Sequence, residues 1–151
     1  AKTLLIYGSL TGNTEGLAYK LQALAQNQGK EIVVKNALDA DLADLQGDQS
    51  TYILACSTWD DGLPQADFVE FLERIKPSLI NLADKKVAVL GCGDSNYVHF
   101  CGATTIIEEV FIKKMGANKI IDTLRIDGYP ESEENQALFQ NWAEKLIALL
   151  D

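Results

Sequence analysis

This sequence has little positive charge. Its 13 lysines and arginines stand against 22 aspartates and glutamates, and the formal net charge is −9 at pH 7. A protein that binds nucleic acid or an anionic membrane surface needs clustered lysine and arginine. The shortage therefore argues against both, and neither nucleic acid nor a membrane is expected as a partner. Cationic proteins are better candidates.

Cysteine and histidine are also scarce, with three cysteines and one histidine in the chain. Cys56, Cys92 and Cys101 are odd in number and lack CxxC spacing, so the sequence predicts neither a disulfide framework nor a zinc site. We interpret them as reduced thiols. With His99 as the single histidine, Ser-His-Asp or Cys-His catalysis is hard to assemble. No catalytic residue and no metal ligand is predicted.

Long apolar runs are missing too. The runs at residues 87–90 and 146–150 are far too short to span a bilayer, and the first residues show no basic segment followed by an apolar stretch. A cytoplasmic location is the simplest interpretation. A length of 151 residues with 47% hydrophobic residues is typical of one compact domain, expected to comprise residues 1–151.

Five short apolar runs alternate with helical patterns. They lie at residues 3–7, 31–35, 51–56, 86–90 and 119–126, the last with a polar interruption at Asp122. This alternation predicts βαβ units around a parallel sheet with helices on both faces. Gly29 and Gly116 are expected just past the ends of helices. Pro64 suits the first turn of a helix, and Ser132 suits the start of the last one.

The loop after the first predicted strand is the first unusual stretch. Ligands of an open parallel sheet bind outside the C-terminal ends of its strands. Residues 8–14, GSLTGNT, combine glycines with hydroxyl side chains and lead into a helix near Asn13, so they can hold a phosphate through neutral groups. The loop lacks the lysine of a nucleoside-triphosphate loop and the GxGxxG dinucleotide pattern. The alternative is a plain Ser/Thr-rich helix cap.

The loops after the third and fourth predicted strands offer aromatic surfaces. In residues 57–64, Trp59 stands beside two aspartates at the end of a buried strand, which favours a ring that stacks on a ligand. The alternative is an aromatic lid over the sheet edge. Residues 91–102 combine glycines with Tyr97, a second candidate stacking ring. Together the three loops predict a pocket for a planar ring attached to a single phosphate.

Four motifs carry a family resemblance: GSLTGNTE, STW, GCGDSNYVHFCGA, and LRIDG at residues 124–128. They resemble the three flavin loops and the last strand of flavodoxins, small electron carriers that bind flavin mononucleotide (FMN). The resemblance covers essentially the whole chain and indicates the short-chain type, as in sulfate-reducing bacteria, although residues 58–63 also resemble the loop of long-chain members. It implies an α/β fold, a doubly wound five-stranded parallel sheet of order 2-1-3-4-5, and a redox carrier rather than an enzyme.

The resemblance also implies roles for individual residues. The first loop would hold the FMN phosphate, and Trp59 and Tyr97 would flank the isoalloxazine ring. The expected cofactor-binding residues are Ser9, Leu10, Thr11, Gly12, Asn13, Thr14, Ser57, Thr58, Trp59, Asp60, Asp61, Gly62, Cys92, Gly93, Asp94, Tyr97, His99, Phe100 and Cys101.

The expected potential follows from charge. Because the first loop has no basic residue, the phosphate charge adds to the net charge of −9 and opposes a further negative charge on the reduced flavin. We therefore expect a low-potential one-electron carrier whose non-covalently bound FMN shuttles between semiquinone and hydroquinone.

Acidic residues cluster in sequence around the second and third loops: Asp60, Asp61, Asp67, Glu70, Glu73 and Asp94. A ring of negative charge there would steer basic redox proteins, such as reductases, oxidoreductases and cytochromes, towards the flavin. The alternative is an ordinary solvated helix face. The carrier is expected to be a monomer.

Three other functions stay open at this point. An FMN-dependent NAD(P)H or quinone reductase would use a similar fold, but no nicotinamide-binding motif is visible. A phospho-accepting receiver domain needs acidic residues at the end of the first strand, where this chain has Gly8 and Ser9. The third is the flavin domain of a larger reductase; the length of the chain argues against this alternative.

Asp60 departs from the commonest short-chain pattern. In flavodoxins the peptide after the stacking tryptophan turns its carbonyl towards N5 of the half-reduced ring, and that position is often glycine. A non-glycine residue resists the turned peptide, although aspartate tolerates left-handed geometry better than most. We expect Asp60→Gly to stabilise the semiquinone, seen as a wider separation of the two one-electron potentials. Asp60→Asn, which removes only the charge, is the control, and potentials that draw closer in Asp60→Gly contradict the prediction.

Overall fold

The computed structural model describes residues 2–8, 12–58, 64–78, 80–95 and 101–151. Its strands are β1 (Thr3–Gly8), β2 (Ile32–Asn36), β3 (Thr51–Ser57), β4 (Lys86–Gly93), β5 (Asn118–Lys119) and β6 (Leu124–Asp127). Its α-helices are α1 (Asn13–Asn27), α2 (Leu42–Leu45), α3 (Ala66–Ile75), α4 (Gly102–Glu108) and α5 (Glu133–Leu149). Short 3₁₀ helices lie at Ala37–Asp39 and Lys76–Ser78, and a π-helix at Glu109–Lys114 continues α4.

All strand pairs of the sheet are parallel, in the order β2-β1-β3-β4-β5, which confirms the predicted order. The predicted fifth strand is two short strands that share one edge of β4. β5 pairs with the start of β4, where Asn118 lies opposite Lys86, and β6 with its end, where Leu124 lies opposite Leu90. Between them the backbone carbonyl of Asp122 accepts a hydrogen bond from Trp142 Nε1 (2.9 Å). Because Asp122 bonds to α5, the strand is interrupted there.

The sheet separates two hydrophobic cores. Along β1 every residue is buried; Leu4 and Ile6 pack with side chains of α3 and α4, and Leu5 and Tyr7 pack with side chains of α1 and α5. Successive side chains of a strand point to opposite faces, so a strand covered on both sides must be apolar throughout. The helices on both faces confirm this interpretation of the continuous apolar runs.

Most of the predicted helix ends are confirmed. Gly29 and Gly116 follow helical segments with φ of 75° and 81°, a left-handed conformation that glycine adopts without strain. The hydroxyl of Ser132 accepts a hydrogen bond from the N–H of Asn135 (3.2 Å) and caps α5. No helix among the described residues has the length and apolar character needed to cross a membrane.

The prediction for Pro64 is wrong by two residues. α3 begins at Ala66, and its N-cap is Gln65, whose side-chain oxygen accepts from the N–H groups of Asp67 (3.0 Å) and Phe68 (3.4 Å). Pro64 instead pairs with Thr58 in an isolated antiparallel bridge. Proline cannot donate a backbone hydrogen bond, and the neighbouring Gln65 N–H instead donates to the carbonyl of Ser57 (3.0 Å).

Candidate functional site

The ends of three strands meet at one edge of the sheet. Gly8 at the end of β1 lies opposite Cys56 in β3, and Cys56 lies opposite Gly91 in β4. On the far side, Asp127 at the end of β6 lies opposite Gly93. Because parallel strands end at the same edge, the three loops singled out in the sequence leave the sheet side by side.

The first loop leads into α1 through a left-handed residue. Gly12, the N-cap of α1, has φ 88°, and a Cβ placed on it would meet nothing within 4 Å. Glycine is therefore required at this position by the left-handed backbone conformation and not by a lack of space. Glycine offers no side-chain oxygen to the N–H groups of the first turn, whose positive end attracts anions.

Thr14, in the first turn of α1, carries an unusual hydroxyl. The residue is 0% exposed, and its Oγ1 has no hydrogen-bond partner among the described residues. Burial raises the pKa of the neighbouring Cys92 thiol, and the Thr14 hydroxyl partly offsets that rise. A thiol is only a weak hydrogen-bonding group. A buried hydroxyl without a strong partner costs about 1–3 kcal/mol, so this atom suits a ligand that brings an acceptor.

Thr58 uses its hydroxyl within the protein. Its Oγ1 accepts a hydrogen bond from the N–H of Ala103 in the first turn of α4 (3.0 Å), and its own N–H donates to the carbonyl of Cys92 (2.9 Å). The residue at the N-cap of α4, Cys101, has no side-chain cap hydrogen bond. Thr58 therefore fastens the end of β3 to both β4 and α4.

Close approach of α4 explains the glycines at the end of β4. A Cβ on Gly91 would lie 2.2 Å from Thr104 Cγ2, and a Cβ on Gly93 would lie 3.0 Å from the backbone nitrogen of Cys101. Neither position has room for a side chain. Among the described residues, Cys101 is the one non-glycine residue with a positive φ, at 51°.

All three thiols are buried and unpaired, which confirms that the cysteines form no disulfide. Burial raises the pKa of the Cys56 and Cys101 thiols to about 12. A thiol must ionise to act as a nucleophile or a metal ligand, so neither of these is poised for such chemistry. The described residues also contain no group of histidine, cysteine or acidic side chains arranged to hold a metal ion.

Sequence reasoning missed Asp127 as a residue of this edge. Its Oδ1 accepts a hydrogen bond from the N–H of Ser95 (2.9 Å), and hydrogen bonds from the side chain and backbone of Ser95 hold the pKa of Asp127 below its usual range. This contact joins the third loop to β6. The sequence signal for Asp127 is the aspartate of the motif LRIDG, which the family resemblance assigns only to the last strand.

Of the residues predicted to bind the cofactor, the structure brings together at this edge Gly12, Asn13, Thr14, Ser57, Thr58, Cys92, Gly93, Asp94 and Cys101. The others lie outside the described residues: Ser9, Leu10, Thr11, Trp59, Asp60, Asp61, Gly62, Tyr97, His99 and Phe100.

Comparison with known proteins identifies the family. The family described as Flavodoxin matches residues 5–142. The chain belongs to the flavodoxin family. A flavodoxin of Maridesulfovibrio salexigens is 39% identical over 148 residues, which are 97% of this chain and 99% of that one. Oxidised flavodoxin 2 from Bacillus cereus has the same fold, with a TM-score of 0.86, 34% identity and 99% of both chains covered.

Flavodoxin-like domains also occur in larger enzymes. The sulfite reductase [NADPH] flavoprotein alpha-component of Vibrio cholerae serotype O1 (strain ATCC 39541 / Classical Ogawa 395 / O395) is 30% identical over 99% of this chain but only 23% of that enzyme. Flavodoxins are FMN-binding electron carriers, so this chain is a small FMN-binding electron carrier and not an enzyme. The alternative of an NAD(P)H or quinone reductase is not favoured.

The described part of the edge fits the phosphate of FMN. The N-cap of α1 is the left-handed Gly12, and the buried hydroxyl of Thr14, which has no strong partner among the described residues, lies in the first turn of the helix. A helix N-terminus and a neutral hydroxyl are groups that can hydrogen-bond to an anion without a full positive charge. The sequence of the first loop, residues 8–14, likewise contains no lysine or arginine.

Substitution of Thr14 separates binding from folding. Thr14→Val replaces the buried hydroxyl by a methyl group of the same shape, so the free energy of unfolding of the FMN-free protein should stay unchanged or rise by about 1 kcal/mol. The dissociation constant for FMN should rise about tenfold, because one hydrogen bond to a charged group is lost. Denaturant unfolding and quenching of flavin fluorescence measure the two quantities.

Thr14→Ser is the control for this prediction, since it keeps the hydroxyl and should keep FMN affinity within about threefold of the parent. An unchanged dissociation constant in Thr14→Val would show that this hydroxyl does not serve the cofactor.

Proposed function

We propose that this flavodoxin is a low-potential one-electron carrier, a single domain that holds FMN non-covalently at the C-terminal edge of its sheet. The observation that carries the proposal is the start of α1, where left-handed Gly12 and the buried hydroxyl of Thr14 lie one turn apart or less. A phosphate monoester would bring an acceptor to the Thr14 hydroxyl. When bound, FMN supplies the one-electron chemistry that the protein's own side chains lack.

The proposed roles divide between the three loops. Ser9, Thr11, Asn13 and Thr14 hold the phosphate, together with the backbone of the first loop and the positive end of α1. The aromatic rings of the second and third loops flank the isoalloxazine. The remaining members of the binding set border the ring where β3 and β4 end, and close packing there keeps water from the buried side of the cofactor.

Charge supports the low potential. The three loops, residues 8–14, 57–64 and 91–102, contain three aspartates and no lysine or arginine. A reduced flavin that carries negative charge is repelled by these carboxylates and by the phosphate. Aromatic stacking acts in the same direction, because an electron-rich ring face favours the electron-poor oxidised flavin. Both effects make the bound cofactor harder to reduce.

The proposed partners are basic redox proteins, among them reductases, oxidoreductases and cytochromes. The support is electrostatic: Glu70 and Glu73 are exposed on α3, and Asp94 follows β4 at the site edge. A negative surface around the exit of the electron raises the encounter rate with a cationic partner. We also propose that the carrier works in the cytoplasm as a monomer; its three unpaired cysteines suit a reducing compartment.

Stepwise anaerobic reduction of the FMN-loaded protein tests the proposal. We expect two separate one-electron steps, the second at a potential well below that of free FMN, when absorbance is followed against reference dyes of known potential. Free FMN under the same conditions is the control. A single two-electron step at the potential of free FMN is the opposite outcome and would refute the low-potential carrier.

Salt dependence tests the choice of partner. The second-order rate of electron transfer to a basic cytochrome c should fall by about tenfold or more between low salt and 0.5 M NaCl, because salt screens the attraction. The rate with an uncharged quinone serves as the control and should change little. Equal rates with cytochrome c at low and high salt would rule out electrostatic steering.

A further inference from the structure

The third loop ends at a residue whose backbone is disfavoured. Cys101 has φ 51° and ψ 32°, in the left-handed region that non-glycine residues seldom adopt. Its side chain is 0% exposed, and its Sγ would lie 3.1 Å from a Cβ placed on Gly93. A conformation of this kind persists only where neighbouring groups enforce it.

Thr104 enforces it from the first turn of α4. Its hydroxyl donates to the carbonyl of Cys101 (2.7 Å), and its backbone N–H donates to the same carbonyl (3.0 Å). Its methyl group fills the space beside Gly91, where a Cβ would lie 2.2 Å away. Thr104 is therefore fixed against β4 while it holds the end of the third loop.

Arg125, in β6, determines which group the Thr104 hydroxyl donates its proton to. Its Nε donates to Thr104 Oγ1 (3.1 Å), and its Nη2 lies 3.2 Å from Glu108 Oε1. A hydroxyl has one proton. Because the guanidinium occupies a lone pair of Oγ1, that proton is directed to the carbonyl of Cys101. The three residues form a continuous chain of hydrogen bonds from the sheet edge to the third loop.

We propose that Arg125 is a positioning residue for the cofactor. Acting through Thr104, it holds the left-handed turn at Cys101, where the third loop enters α4. The inference rests on the proposed function, since it concerns the loop that we propose flanks the flavin ring. The guanidinium itself is engaged by Thr104 and Glu108, so its effect on FMN is indirect.

The first test uses the FMN-free protein and measures how often the turn at Cys101 opens. Arg125→Met should make Cys101 react about tenfold faster with 5,5′-dithiobis(2-nitrobenzoate), because labelling of a buried thiol tracks the population of locally opened molecules. Mass mapping of labelled peptides distinguishes Cys101 from Cys56 and Cys92, whose rates should not change. Lys119→Met is the matched control, since Lys119 contacts the same Glu108 (3.3 Å) but lies outside the chain of hydrogen bonds.

The second test reads cofactor binding. Arg125→Met and Thr104→Val should each raise the dissociation constant for FMN about tenfold, and Thr104→Ser, which keeps the hydroxyl but loses the methyl group beside Gly91, should raise it clearly less than Thr104→Val does. If Arg125 acts through Thr104, the double variant should bind FMN no more weakly than either single variant. Additive effects would show that Arg125 acts by another route.

The outcomes separate this inference from the function on which it rests. A parent protein that binds no FMN overturns the proposed function, while the labelling of Cys101 still tests the chain of hydrogen bonds. A parent that binds FMN, with unchanged labelling and unchanged affinity in Arg125→Met, overturns the role of Arg125. The Arg125 side chain is 41% exposed, so this variant should fold even if Thr104→Val does not.

Discussion

Parallel pairing of β1, β3 and β4 is the constraint on which the functional edge depends. Each of these strands is buried on both faces, and a slip of one residue would turn its apolar side chains towards the wrong core. The register is therefore fixed, with Gly8, Cys56 and Gly91 at one level. Because all three strands run the same way, their loops have to leave the sheet together. The site is a consequence of how the cores are packed.

Helices begin at this same edge, and their N-termini are treated differently. α3 is capped by the side chain of Gln65, and the first turn of α4 donates to the hydroxyl of Thr58. α1 begins at Gly12, which has no side chain to offer. Since N–H groups at a helix end attract anions, the end of α1 is the one that we propose for the phosphate. The choice is made by the capping residues, since all three helices have the same polarity.

The same edge shows how far the sequence alone could lead. Continuous apolar runs and glycines after helices are local signals, and they predicted the strands, the layers and the ends at Gly29 and Gly116. The three loops were also recognisable, because their unusual composition is contiguous in the chain. Features that depend on distant residues were not predictable in this way. The sequence shows the polar interruption at Asp122, but the hydrogen bond from Trp142 of α5 to the Asp122 carbonyl (2.9 Å) depends on how α5 packs.

Within the site, the contacts that were not predicted join residues far apart in the chain. Asp127 holds the N–H of Ser95, which is 32 positions away in the chain. Thr58 was predicted to bind the cofactor, and the structure shows its hydroxyl accepting from Ala103, 45 positions away. Such contacts exist only once the register of β4 against its neighbours is set. Composition therefore predicted where the loops lie, whereas the hydrogen bonds that hold them in place are visible only in the folded structure.

At the edge where we propose that the cofactor binds, Cys101 is left-handed and the buried Thr14 hydroxyl has no partner among the described residues, whereas several side chains are hydrogen-bonded at the opposite edge. There Lys30 Nζ donates to the carbonyls of Ile147 (2.7 Å) and Leu150 (2.8 Å) at the end of α5, and Ser50 donates to Asp151 (2.7 Å). One further buried oxygen without a partner among the described residues, Gln49 Oε1, lies in the turn before β3.

The two hydrophobic cores on the faces of the sheet are formed largely by residues of strands and helices. The loops can therefore keep a left-handed Cys101 and a buried Thr14 hydroxyl that a loop selected only for stability would lose. Since a ligand that binds only the folded state stabilises it, the cofactor would recover there what the protein has left unsatisfied. We therefore infer that affinity for the phosphate would come from atoms that the folded chain has already positioned and not from a lysine or arginine of the first loop.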